Sequence, residues 1–258
     1  MTSYKGKTLI IGALGQVGRA IFKASKYKYE VLEHDLRKGH NKRGESYDLE
    51  VDPSTAQGLV MHFCIPFTKD FPQIISEYHK TFNPSLVILH ASLPPGTTKG
   101  LSEKGLPVVH SPVIFDDNRL STVSHFRKMI GYDNSELALK AEAHLRLCFN
   151  TALIKGSINT ELADICLGLY NMTCRSITFE IARMFSLYGC DYRVMMEFLG
   201  FNNIGYATIN KPDLMLQNMY PDLNKADYRL GLTELLPEKL CSAFFKLAKR
   251  SYTLEGAK

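Results

Sequence analysis

A short apolar run from Lys7 to Ile11 leads directly into Gly12-Ala13-Leu14-Gly15-Gln16-Val17-Gly18, and a helical pattern follows over Gln16 to Ser25. Few folds use that order. Glycines after a buried strand allow a tight turn, a close backbone approach to a diphosphate, and close packing of the next helix on the strand. The free N–H groups and positive dipole end of that helix then face the phosphates. The spacing is G-x-x-G-x-x-G and not the more frequent G-x-G-x-x-G, so the strand-turn-helix setting carries the reading. Asp35 ends the next apolar run, where a carboxylate can accept hydrogen bonds from both hydroxyls of a ribose. The expected cofactor-binding residues are therefore Gly12, Leu14, Gly15, Gln16, Val17, Gly18 and Asp35, with Ile65 and Pro66 over the adenosine and Ser92 near the nicotinamide ribose. Asp35 favours NAD, because a carboxylate repels a 2′-phosphate. Arg37 and Lys38 follow directly and can neutralise such a phosphate, so NADP stays open.

Five strands are expected before residue 112: Lys7 to Ile11, Tyr29 to His34, Val60 to Ile65, Ser85 to His90 and Pro107 to His110. Each is rich in apolar residues without strict alternation, as strands buried on both faces should be. Helices are expected at Gln16 to Ser25 and Phe71 to Thr81. Strand and helix in turn give an α/β chain with a Rossmann, doubly wound parallel sheet. His90 and His110 close two of these strands, and ligands bind outside the carboxyl ends of such strands. Either histidine can face a substrate or line the wall as a hydrogen-bonded residue.

Composition narrows the function classes. Hydrophobic residues make up 45% and charged residues 22% of the chain, which is the balance of a globular protein. A net charge of +5 over 258 residues is too weak for a polyanion site, so no nucleic-acid partner is expected. The six cysteines form no C-x-x-C pair, so no metal site is expected, and scattered thiols suit a reduced, cytoplasmic setting. Met1 to Lys7 is polar and the apolar run after it is too short for a secretory core or a membrane span.

Two dehydrogenase patterns can be tested on the residues. Proton transfer by a Tyr-x-x-x-Lys pair, as in the extended short-chain dehydrogenases, fails because none of the 13 tyrosines has a lysine four residues on. The other pattern is Ser85-Leu-Val-Ile-Leu-His-Ala-Ser-Leu-Pro-Pro-Gly-Thr-Thr98, then Leu106-Pro-Val-Val-His-Ser-Pro112, then Lys155 and Asn159. This order resembles the UDP-glucose and GDP-mannose dehydrogenases, a branch of the 6-phosphogluconate and β-hydroxyacid dehydrogenase superfamily. The resemblance implies a Rossmann domain at 1–148 and an all-helical substrate and dimerisation domain at 149–258. It also implies a catalytic Lys155 and Asn159; from their positions at and after the strand ends, Ser92, Thr97 and His110 are expected near a small-molecule substrate. Departures limit the chemistry. Val113 stands where those enzymes carry Glu, and Cys241 lies in Glu-Lys-Leu-Cys-Ser-Ala-Phe, not in their Gly-Gly-x-Cys-x-x-Lys-Asp segment. Their third, nucleotide-sugar-binding domain is not expected either. A single two-electron hydride transfer is the expectation, with a non-catalytic dinucleotide-binding dimer as the alternative.

Thr151 to Tyr188 reads as one long helix with few charges, Lys155, Glu161, Asp164, Arg175, Glu180 and Arg183. On one helix Lys155 and Asn159 would share a face and reach one ligand oxygen. Such a helix would run roughly 57 Å at 1.5 Å per residue, more than one small domain covers, so a homodimer through 151–188 is expected. Its ionisable residues argue against a membrane span. Gly189 should stop it. Further on, only Pro237 to Arg250 gives a pattern, an amphipathic closing helix with Leu240, Phe244, Leu247 and Ala248 inward.

Overall fold

The computed structural model describes residues 5–40, 46–114 and 126–208, so the expected closing helix lies outside the described residues. Two compact units divide the chain, Met1–Asp164 and Ile165–Lys258.

In the first unit the strands are β1 Lys7–Ile11, β2 Glu30–His40, β3 Ser46–Leu49, β4 Val60–Phe63, β5 Leu86–Leu89, β6 Val108–His110, β7 Lys128–Tyr132 and β8 Thr151–Lys155. They form one eight-stranded sheet ordered β3-β2-β1-β4-β5-β6-β7-β8. The centre, β2-β1-β4-β5-β6, is parallel. β3 and β7 run antiparallel to their neighbours β2 and β6, while β8 is parallel to β7. Helices α1 Gln16–Ser25, α2 Phe71–Phe82, α3 Thr97–Ser102 and α4 Ser135–Leu145 cover both faces. Phe71, Ile75 and Phe82 of α2 and Leu101 of α3 pack with Leu9, Met61, Phe63 and Leu89 on one side. Ala20 and Ile21 of α1 and Ala141 and Leu145 of α4 pack with Ile10, Ile88 and Val109 on the other. This is the doubly wound arrangement, and β1, with β2 on one side and β4 on the other, marks its switch point.

The segment from Thr151 departs from the expected helix. Thr151 to Lys155 is strand β8, in register with Lys128 to Tyr132. Gly156 then adopts φ +81°, a left-handed conformation that suits glycine, and α5 begins only at Ser157. An edge of the sheet offered β8 backbone partners that no sequence pattern reveals, so the first unit extends to Asp164 and not to 148. α5, Ser157–Leu187, starts in the first unit and continues into the second, where α6 spans Arg193–Thr208. Gly189, at φ +66°, follows its end, and the Cys190 amide donates to the Phe185 carbonyl in a helix-stop turn. The first turn of α5 presses on β7 because Gly131 has no side chain: a Cβ there would sit 1.9 Å from Thr160 Oγ1.

Candidate functional site

The turn between β1 and α1 is shaped by what its glycines lack. Gly12 has φ +81°, and a Cβ on it would lie 3.1 Å from the Cys64 carbonyl oxygen. A Cβ on Gly18 would lie 2.2 Å from the Gly12 carbonyl oxygen and 2.8 Å from Ala13 Cα, so no side chain fits between helix and turn. Gly15 caps α1 without a side-chain hydrogen bond, leaving space over the amides of the first turn.

Above it opens a cleft of about 720 Å³. Gly12, Gly15, Gln16, Val17, Asp35, Ile65, Pro66 and Ser92, all expected at a cofactor, line it. Leu14 and Gly18, expected with them, do not line it. The Leu14 amide instead donates to Asp35 Oδ2 at 2.9 Å, and Gly18 is consumed in helix packing. Leu36, Phe67 and Tyr78 add apolar cover on the β2 side. Asp35 is gripped by Arg37, whose amide and Nε donate to Oδ1 and whose Nη2 donates to Oδ2 at 3.1 Å. Partial burial resists ionisation of Asp35, but the hydrogen bonds from Arg37 and Leu14 outweigh it and hold the carboxyl below its usual range. The Arg37 side chain is 64% exposed and faces the cleft mouth beside Gly15.

The opposite wall carries the polar groups. Asp164, two turns into α5, lines the cleft with Ser92, to which it is hydrogen-bonded. Burial pushes its pKa up, against the Ser92 hydrogen bond and the charge of Lys128. Its Oδ2 is buried without a hydrogen-bond partner. One turn earlier, Glu161 is fully buried and accepts from the Gly96 amide at 2.5 Å, the Thr98 amide at 2.7 Å and Thr98 Oγ1 at 2.6 Å. That carboxylate pins the Pro-Pro-Gly-Thr-Thr turn to α5.

Four expected substrate or catalytic residues lie elsewhere. Lys155 is exposed at the end of β8, and Asn159 donates its Nδ2 to the Lys155 carbonyl, so the two do not form a helical pair and neither lines the cleft. Thr97 turns back to donate to the Pro94 carbonyl. His110 is buried between Thr160 Oγ1 and the Ala91 carbonyl, and burial pushes its pKa down to about 4. It is therefore a neutral wall residue. Cys64 lines the cleft, but burial raises its thiol to about 12, which suits packing and not nucleophilic attack. Sequence reasoning missed Asp164. The signal was there: Glu161 and Asp164 are three apart, hence on one helical face, in a stretch with few charges. Among the described residues no group of three or more His, Cys, Asp or Glu could hold a metal ion, and no helix is long and apolar enough to cross a membrane.

No protein-family model matches the sequence, and no curated protein does either. Solved structures do match the fold. A UDP-D-ManNAc dehydrogenase from Pyrococcus horikoshii aligns with 76% of this chain and 57% of its own at 16% identity, TM-score 0.62. GDP-mannose dehydrogenase from Pseudomonas aeruginosa gives the same coverages, 17% identity and TM-score 0.57. A 3-hydroxyisobutyrate dehydrogenase from Mycobacterium tuberculosis aligns with 75% of this chain and 69% of its own at 11% identity, TM-score 0.55. The chain spans a little over half the length of the two nucleotide-sugar enzymes. Its Rossmann sheet followed by long helices is the fold that the nucleotide-sugar and hydroxyacid dehydrogenases share.

Proposed function

We propose that the cleft binds a nicotinamide dinucleotide and that the protein catalyses a two-electron oxidation or reduction at a hydroxyl or carbonyl carbon of a small hydroxyacid- or sugar-like substrate. One observation carries this: a glycine turn that leaves room for a diphosphate opens into the same cleft as a partly desolvated carboxyl with a free oxygen, Asp164. The nicotinamide, when bound, supplies or accepts the hydride. Gly12, Gly15 and the first amides of α1 hold the diphosphate. Asp164 exchanges a proton with the substrate oxygen, and Ser92 orients its carboxyl.

NAD is the proposed cofactor through Asp35, and Arg37 keeps NADP within reach, because a 2′-phosphate would meet an exposed guanidinium beside Asp35. Fluorescence titration tests both. NADH should bind, and Arg37→Ala should weaken NADPH at least about fivefold more than NADH, roughly 1 kcal/mol for one charge-assisted contact. Failure of both nucleotides to bind at millimolar concentration removes the reading.

A second reading, a dinucleotide sensor without turnover, is favoured by Val113 in the cleft wall and by Lys155 outside it. Screening hydroxyacids, sugar nucleotides and imines with bound cofactor separates the two. For either, we infer a homodimer through the second unit's helices, since Leu167, Tyr170, Ile177, Met184, Phe198 and Phe201 are exposed on α5 and α6. Sedimentation at micromolar protein should give twice the 29.1 kDa chain mass. A monomer would refute it.

A further inference from the structure

The α4 face of the sheet hides a row of imidazoles that neither cofactor binding nor packing requires. His62 on β4 stands in register between Ile10 on β1 and Ile88 on β5, and it is fully buried. An aliphatic residue would fill that place at lower cost. Instead, His144, near the end of α4, puts Nε2 3.0 Å from His62 Nε2. His62 Nδ1 lies 2.9 Å from His90 Nε2. His90 Nδ1 lies 2.6 Å from the Ser111 carbonyl and 3.2 Å from Lys128 Nζ. His90 lines the cleft, whereas His144 is only half-buried, stacked at 4.4 Å on Tyr29. The nitrogens are at hydrogen-bond distance from one another, which leaves no room for a metal ion between them.

One carbonyl sets every proton in this row. The Ser111 oxygen can only accept, so His90 Nδ1 carries hydrogen and its Nε2 is an acceptor. His62 must therefore donate from Nδ1 and accept at Nε2, and His144 must donate from Nε2. Burial, the first cause in each case, holds all three imidazoles below their usual pKa, so the rings rest neutral. Lys128 Nζ donates to the Ser111 and Pro112 carbonyls, each at 2.6 Å. As a neutral amine it keeps a lone pair towards His90 Nδ1. Burial brings its pKa down to about 7, within reach of that form.

We propose that His144, His62, His90 and Lys128 form a proton relay that leads from the α4 side of the sheet to the polar wall of the cleft and supplies the proton consumed in carbonyl reduction. A proton arriving at His144 Nδ1 moves three others by one step. N–H bonds break at His144 Nε2, His62 Nδ1 and His90 Nδ1, and form at His62 Nε2, His90 Nε2 and Lys128 Nζ. To complete the relay an N–H bond of Lys128 breaks and an O–H bond of Asp164 forms; the two groups act on each other by charge, while the hydrogen-bond partners of Lys128 Nζ are His90 and the Ser111 and Pro112 carbonyls. A dihydronicotinamide, when bound, would supply the hydride to the carbonyl carbon, and Asp164 would give the proton to the carbonyl oxygen, so that the reduction to an alcohol balances. The resting polarity points inward, which suits the reductive direction. This role rests on the proposed hydride chemistry, but its test does not.

Long-range proton–nitrogen NMR of histidine-labelled, full-length protein at pH 8 reads the tautomers directly. His62 and His90 should be Nδ1–H and His144 Nε2–H; an Nε2–H form of His62 or His90 would overturn the relay. Solvent exchange of the His90 Nδ1 proton supplies the second readout. His144→Phe keeps a ring against Tyr29 but removes the entry point, so exchange should slow at least tenfold. An unchanged rate means that the row is structural only. Should this variant not fold, the wild-type tautomers still decide. Lack of NADH or NADPH binding would sink the proposed function without altering either result.

Discussion

Asp164→Asn is expected to lower kcat by about 10²- to 10⁴-fold on any substrate the protein turns over, which is the usual contribution of a positioned proton-transfer group. The amide keeps the volume of the carboxyl and can still meet Ser92, so packing and nucleotide affinity should change by less than about threefold. What is lost is a group that can hold and release a proton. Because burial raises the pKa of Asp164, the ionised form appears at higher pH than for an ordinary aspartate. Alcohol oxidation needs that form and should gain as pH rises through the raised pKa; carbonyl reduction needs the protonated form and should fall away over the same interval. Lys155→Ala, on the exposed end of β8, should leave kcat within about threefold. Steady-state kinetics on both variants would settle the roles. Full activity in Asp164→Asn with loss in Lys155→Ala would restore the lysine to the chemistry and remove the carboxyl.

Glu161→Ala should be the most damaging single change to stability in the first unit, at about 3 to 5 kcal/mol. The Glu161 carboxylate is fully buried and accepts three hydrogen bonds from Gly96 and Thr98. Truncation leaves those donors in a dry interior, and each unsatisfied group costs about 1–3 kcal/mol, with a cavity added. Glu161→Gln keeps the volume and one acceptor but turns an amide NH2, itself a donor, towards a donor, so roughly half the loss should remain. Urea unfolding measures both. A cost below about 1 kcal/mol for Glu161→Ala would mean that water or a shifted backbone satisfies the α3 turn, and that α5 does not depend on this carboxylate for its place beside the cleft.

Much of the fold is legible before any coordinates. The strands β1, β4, β5 and β6 are apolar runs within a residue or two of their expected bounds, and α1 and α2 follow the expected periodicity. Eight of the ten expected cofactor residues line one cleft. β7 and β8 were not legible: β8 is an edge strand, made by the hydrogen bonds of its one neighbour, and Lys-Met-Ile-Gly-Tyr of β7 is weak evidence for a strand on its own. The i, i+4 spacing of Lys155 and Asn159 lost its meaning once Gly156 separated strand from helix, because a helical face exists only where the helix does.

The sequence by itself determined the glycine turn, the open space over its amides and the acidic residue that follows, because those depend on backbone conformation and on neighbours close along the chain. Which carboxyl lines the cleft, and how His62, His90, His144 and Lys128 come together, was decided only by tertiary structure. These groups come from distant parts of the chain, and their burial and mutual distances, which set their charge, exist only after the sheet and α4 have packed.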